Sequence, residues 1–215
     1  MITNEFWLDR WNTGRIGFHE NEVNQSLIQY WPNLPRGSRV LVPLCGKSND
    51  LIWLVEQGYD VTGVELSSLA VVEFFGDNDL AYTTEQTAYG KLHSANEMTL
   101  RVFEGDIFDF DGKVFDACYD RAAMVAMPST LRQSYVEKVS ACLREDAHIL
   151  MISLHHDGNI DTPPFSVSDD DVASLWQRNI HKIASEDLVQ TNSRYKESEY
   201  AYFEESVWRV LPDEL

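Results

Sequence analysis

Basic residues are scarce in this chain: 17 lysines and arginines stand against 35 aspartates and glutamates, for a net charge of −18 at pH 7. A surface of that sign repels phosphate backbones and anionic headgroups, which argues against nucleic acid or a membrane as partner. Cysteine is scarce too. Cys45, Cys118 and Cys142 form an odd set without paired spacing, so no disulfide framework is expected and a reducing compartment is. Long apolar runs are missing; the longest are strand-sized, too short to span a bilayer. The opening Met1-Ile-Thr-Asn-Glu-Phe-Trp7 has neither the basic flank nor the apolar run of a secretory signal. Repeats and low-complexity segments are absent as well. These absences lead to the expectation of a soluble, cytoplasmic protein.

The 215 residues suffice for one sizeable core and are few for two, so 1–215 reads as a single domain. Residues 1–36 are rich in aromatics: Phe6, Trp7, Trp11, Phe18, Tyr30 and Trp31. Within them Val23, Leu27 and Tyr30–Trp31 recur at helical spacing up to Pro32. From residue 37 the pattern changes to short apolar runs alternating with amphipathic segments. Arg39–Leu44, Asp60–Glu65, Leu100–Phe103, Val114–Tyr119 and Ala147–Leu154 read as strands. Helices fit Ser48–Gln57, a segment capped by Ser67 or Ser68 and running through Phe75, and 129–143. Beyond Pro163-Pro164 come a short helix over Asp169–Gln177 and two long strands, Ile180–Val189 and Tyr200–Leu211. Alternating strands and helices imply right-handed crossovers and a parallel sheet covered on both faces. The expected fold is therefore α/β: a doubly wound, mostly parallel sheet of seven strands, closed by an antiparallel hairpin at the C-terminal edge.

Ligands of such sheets bind at the carboxyl ends of the strands. The first such end here is Pro43-Leu44-Cys45-Gly46-Lys47-Ser48, where Gly46 permits close approach to the backbone before a helix begins. Glu65 closes the second strand, 21 residues after Leu44, at the spacing of an acid that accepts from both hydroxyls of a ribose. Asp106 follows the third strand, placed to accept from an adenine amino group while Ile107 covers the ring. Each also has an ordinary reading, a turn glycine or a solvated acid; the three carry weight because they follow successive strands in order. Gly46-Lys47-Ser48 is not a phosphate loop, since Leu41 stands where that motif needs its first glycine. His155-His156 is not read as a metal site, because neighbours on an extended strand face opposite ways, and no metal is expected.

A set of blocks makes the chain resemble the thiopurine S-methyltransferase family, its bacterial members above all. They are Phe6-Trp7-x3-Trp11-x2-Gly14-x2-Gly17-Phe18-His19, Val42-Pro-Leu-Cys-Gly-Lys-Ser48, Gly63-Val-Glu-Leu-Ser67, Asp106-Ile-Phe108, Tyr119-Asp-Arg-Ala-Ala123 and Pro163-Pro-Phe165-x-Val167. The resemblance implies a class I methyltransferase with a Rossmann-like core over 37–215 and residues 1–36 folded as a helical lid. It implies S-adenosyl-L-methionine as cofactor, released as S-adenosyl-L-homocysteine, with Trp11, Leu44, Gly46, Glu65, Asp106, Ile107 and Arg121 around it. The implied reaction is in-line displacement by an aromatic or heterocyclic thiol, or in bacterial relatives a selenium or tellurium compound, in detoxification. Arg121 is the expected catalytic residue, orienting the donor and stabilising an arriving anion. Trp7, Phe18 and Phe165 are expected to form a flat apolar pocket for a small-molecule acceptor, with His19 in a positioning role. Alignment with the family is poor around Ser193-Arg194-Tyr195, and no acceptor contact is carried over there. Cys45 reads as a packed residue, no Ser-His-Asp or Cys-His machinery is expected, and an acidic thione needs little or no general base. The alternatives are a halide or thiocyanate methyltransferase, a nicotinamide-dependent oxidoreductase, and a sensor that binds an adenosine ligand without turnover. A monomer is expected, because no stripe of surplus apolar residues appears outside core and lid.

Overall fold

The structure, a computed structural model, describes residues 3–159, 161–176, 178–192 and 200–211. The chain opens with two helices, α1 (Asn4–Asn12) and α2 (Gln25–Tyr30), and then enters the sheet. The order that follows is β1 (Arg39–Pro43), α3 (Asp50–Glu56), β2 (Asp60–Glu65), α4 (Ser68–Asp77), β3 (Tyr82–Gln86), β4 (Lys91–Ala95) and β5 (Leu100–Glu104). After β6 (Phe115–Arg121) come α5 (Ser129–Cys142), β7 (Leu143–His156), α6 (Asp169–Leu175), β8 (Asn179–Asp187), α7 (Leu188–Thr191) and β9 (Phe203–Leu211).

The strands form one sheet in the order β3-β4-β5-β2-β1-β6-β7-β9-β8. Its five central strands are parallel, with β1 paired to β2 on one side and to β6 on the other. At the far edge β9 runs antiparallel between β7 and β8. That is the doubly wound, mostly parallel core with the expected edge hairpin. The count of seven is corrected to nine: β3 and β4 add an antiparallel pair beyond β5. Tyr82-Thr-Thr-Glu-Gln86 is half-buried only at its first residue and exposed thereafter. An edge strand wet on both faces needs no apolar alternation, so its sequence carries no strand signal.

Ladder bonds extended other elements beyond the apolar runs. β7 begins at Leu143, four residues before the expected Ala147, over a stretch whose side chains are largely exposed. The last strand begins at Phe203 in place of Tyr200, and the helix expected over Asp169–Gln177 ends at Leu175; Gln177 and Ser193-Arg194-Tyr195 lie outside the described residues. The helix start read at Val23 falls at Gln25, because the Asn24 side chain accepts from the Leu27 N–H and caps it.

Alternate residues of the central strands feed two apolar layers. Leu41, Val64, Cys118 and Met151 enter one, while Val40, Val42, Tyr119 and Ile152 enter the other, as a period of two requires. β1 and β2 lie between parallel neighbours and are buried after their first residue, and β1 reads as a continuous apolar run, Val40-Leu-Val-Pro43. Packing is close where β2 meets the turn after β1 and α3: a Cβ on Gly63 would lie 2.6 Å from Cys45 Sγ and 2.9 Å from Leu51 Cδ2. Gly63→Ala is expected to lower stability by about 1–3 kcal/mol through overpacking. Adding Cys45→Ala should recover part of that loss, a coupling readable by urea denaturation of the single and double variants.

Candidate active site

The switch in strand order at β1 sends β2 and β5 to one side and β6 to the other, so four strand ends open onto one cavity of about 710 Å³. That volume lies within the roughly 300–1,000 Å³ usual for small-molecule sites. The turn after β1 carries two left-handed residues, Leu44 (φ 49°) and Gly46 (φ 53°). Glycine is needed at the second, because a Cβ there would come within 3.2 Å of the Trp11 ring.

Glu65, at the end of β2, is buried, with 6% relative exposure. Its two oxygens are held by different turns: Oε2 accepts the Gly46 N–H at 2.9 Å and Oε1 accepts the Ser67 N–H at 2.7 Å. Burial pushes its pKa up to about 7, against the pull of those N–H groups and that of Leu66. A carboxylate offers about four acceptor positions, so acceptor capacity remains on each oxygen.

Asp106 follows β5 and caps the short turn Ile107–Asp109 by accepting the Phe108 N–H. Its other oxygen accepts from Asn4 Nδ2 at 2.7 Å, which ties α1 to the core. Ile107 is buried and lines the cavity beside Phe108.

Arg121 ends β6 before Ala122, which is in the left-handed region at φ 62°. The strand end is pinned by the preceding Asp120, buried and accepting from the Met124 N–H at 3.0 Å and the Tyr135 hydroxyl at 2.8 Å. Burial raises the Asp120 pKa to about 6. Burial lowers the Arg121 pKa, but the nearby Tyr119, Glu20, Asp50 and Glu205 more than offset it, leaving the guanidinium charged. It pairs with Glu20 at 2.5 Å.

Residues 3–24 cover the opening. Trp7 and Trp11 meet Phe18 edge-to-face at 6.0 and 5.6 Å. Asn49 Nδ2 donates to Asn21 O, and the Asn24 N–H donates to Asp50 Oδ1. With the Asn4 and Glu20 contacts, this cover is tied to the core at four polar points.

Trp11, Leu44, Gly46, Glu65, Asp106, Ile107 and Arg121 thus line a single cavity with Trp7 and Phe18. Two expected residues do not line it. His19 faces a small side pocket under the cover, where burial, Lys47 and Arg121 lower its pKa. Phe165 is buried, its N–H donating to Val125 O; the Pro163-Pro164 pair before it faces the cavity instead. Cys45 is buried and its thiol pKa raised by that burial, as suits a packed residue. His155 and His156 engage Tyr202 and Phe203, and no three His, Cys, Asp or Glu side chains gather as metal ligands among the described residues. Sequence reading missed Asn4, Glu20, Glu186 and Glu205. The latter two come from the edge hairpin, and nothing in their local sequence marks them.

Several solved structures that share this fold are methyltransferases. A 1,6-didemethyltoxoflavin-N1-methyltransferase from Burkholderia thailandensis, solved with S-adenosylhomocysteine, superposes with a TM-score of 0.65 at 16% identity, covering 97% of this chain and 87% of that one. A TehB-like SAM-dependent methyltransferase from Corynebacterium glutamicum gives 0.56 at 16% identity, covering 97% of both. The sheet, with its cavity at the switch point, has the fold of the class I S-adenosylmethionine-dependent methyltransferases.

The sequence relatives narrow the class. The profile of the thiopurine S-methyltransferase family matches residues 2–212. The thiopurine S-methyltransferase of Bordetella petrii is 40% identical over 214 residues, and that of Photobacterium profundum 38% identical over 212; each alignment spans 96% of this chain and 97% of the relative. The chain belongs to the thiopurine S-methyltransferase family, whose methyl donor is S-adenosylmethionine.

The raised pKa of Glu65 has a sign that can be tested. A carboxyl that titrates near 7 when folded and near 4.5 when unfolded contributes stability at low pH and loses it as pH rises to about 7. The stability of the wild type relative to Glu65→Gln should therefore fall by about 2 kcal/mol between about pH 5.5 and about pH 8. Denaturant unfolding of both proteins across that window measures it.

Proposed function

We propose that the chain transfers the methyl group of S-adenosylmethionine to the sulfur of aromatic and heterocyclic thiols, and to selenium or tellurium acceptors. The supporting observation is one cavity that joins the Glu65 edge to an aromatic and cationic end at Trp7, Phe18 and Arg121. The residues present fit the donor. Glu65 keeps acceptor capacity for two ribose hydroxyls after satisfying Gly46 and Ser67. Asp106 likewise keeps a site for an amino group, Ile107 offers an apolar face, and Gly46 leaves the turn open beneath Trp11.

The donor, when bound, supplies an electrophilic methyl on a cationic sulfur. The protein's share is alignment and exclusion of water, which can lower a barrier by roughly 7–11 kcal/mol in well-oriented systems. Trp7, Trp11 and Phe18 form the apolar cover that keeps water out. Arg121 supplies a fixed positive charge where an anionic nucleophile gains most from it. A cavity of this size exceeds what iodide or thiocyanate needs, which favours the aromatic acceptor. Cys45, Cys118 and Cys142 are all unpaired and buried, as suits a cytoplasmic site of action.

Calorimetric titration with S-adenosylhomocysteine tests the donor half. Glu65→Ala should weaken binding about 100-fold, at about 1.5 kcal/mol or more per lost charged hydrogen bond, while NADH should not bind. Affinity of the wild type should rise between about pH 6 and about pH 8, because only the ionised Glu65 accepts both hydroxyls. Glu65→Gln should show no such rise. Failure of folded wild type to bind S-adenosylhomocysteine would sink the reading.

A further inference from the structure

Thiol transfer raises a question that the donor site does not answer. A typical thiol of pKa about 8.5 is mostly protonated near neutral pH, and only its thiolate is a competent nucleophile. A proton acceptor beside the sulfur would extend the acceptor range from acidic thiones to ordinary thiols. Most polar groups of the cavity are unsuited. Glu65 and Asp106 are fixed by backbone N–H groups and Asn4, and their remaining acceptor capacity is assigned above to the donor's ribose and amino group. Glu20 is half-exposed and ion-paired with Arg121, Glu186 is exposed, and His19 sits in the side pocket.

We propose that Glu205 is the general base that takes the proton of the acceptor thiol, with Arg121 stabilising the thiolate left behind. The proposal rests on the thiol-methylating reading above. Glu205 projects from β9, where it pairs with Leu154 of β7 on one side and with Glu186 of β8 on the other. Leu154, Glu205 and Arg121 all line the cavity, so the carboxylate and the guanidinium face the same space. Among the described residues Glu205 has no hydrogen-bonded partner, in contrast to its neighbour Glu204, which is bound by Lys182 and Ser206. The charged and titratable groups around it come from three elements: Arg121 and the Tyr119 hydroxyl of β6, Glu20 of the cover and Glu186 of β8. Burial raises its pKa, Arg121 opposes the shift, and Glu20 and Glu186 add to it, which brings the carboxylate nearer to the thiol it would deprotonate.

The step balances. The S–H bond breaks and its proton goes to a Glu205 oxygen. The sulfur pair forms the new S–CH₃ bond as the methyl–sulfonium bond breaks, its electrons staying on the donor's sulfur. Glu205 returns the proton to water when the products leave.

The test compares kcat/KM of wild type and Glu205→Gln at about pH 7.5, with an arylthiol of pKa about 6.5 and a thiol of pKa about 9. Glu205→Gln should lose up to about 30-fold on the weakly acidic thiol, which is only about 3% thiolate at that pH, and under about threefold on the acidic one. Raising the pH by about one unit should restore the variant's rate on the weak thiol about tenfold, as solution thiolate replaces the base. Equal losses on both thiols, or no loss on either, would overturn the proposal. A wild type that methylates neither thiol would instead reject the thiol reading itself. Should Glu205→Gln fail to fold, the wild type loaded with S-adenosylhomocysteine decides. Titration with the weak thiol, in two buffers of unlike ionisation enthalpy, should show its ultraviolet thiolate band with no proton released to buffer. One proton released per thiolate, or no thiolate band, counts against Glu205.

Discussion

A carboxylate removed from water has to be compensated by whatever surrounds it, and at Glu65 the compensation comes from two turns that the sheet brings side by side. The Gly46 N–H belongs to the loop after β1 and the Ser67 N–H to the loop after β2. One side chain therefore sets the separation of the two loops that shape the cavity's edge. Gly46 has to be glycine for Trp11 to close over it, and Gly63 has to be glycine for Cys45 and Leu51 to pack beneath. Two N–H groups do not fully replace hydration, which is why the pKa rises to about 7. A ligand that donates to the remaining acceptor sites would complete what the protein leaves unfinished, so the cost of burying the acid turns into affinity.

The other end of the cavity shows the same economy with the sign reversed. Arg121 is a cation at a strand end in a strongly acidic protein, and Glu20, Glu205, Asp50 and Tyr119 keep it charged despite burial. Among the described residues only Glu20 makes a direct ion pair with it, and it does so from the cover. The cover is thus tied to Arg121 by Glu20 and to Asp106 by Asn4. Those anchors tie the ordering of residues 3–24 to the same two groups that would receive ligands.

Much of the fold could be read from the chain because β1, β2 and β6 lie between neighbouring strands, so their interior residues are buried and mostly apolar. Ser67 and Asn24 act as caps through local hydrogen bonds, which sequence spacing reveals or nearly reveals. The β3–β4 pair could not be read, since β3 is exposed after its first residue and is held by ladder bonds to β4, which in turn pairs with β5. The residues at one edge of the cavity were legible for a related reason. Gly46, Glu65 and Asp106 sit at the ends of strands, and strand ends can be counted.

Phe165 looked like a pocket aromatic and is a buried one, because the Pro163-Pro164 segment that precedes it takes the cavity face. Asn4, Glu20 and Glu205 lie roughly 100, 100 and 84 residues from the Asp106 and Arg121 groups they approach in space. The sequence by itself determined which segments are strands of the buried core, where their carboxyl ends fall, and which acids stand there. Those features follow from local periodicity and from the chain's own order. Only the tertiary structure decided what surrounds Arg121, what ties down the cover and which aromatics face the cavity. Those are contacts across long stretches of chain, settled by how the sheet twists and packs, and no local pattern encodes them.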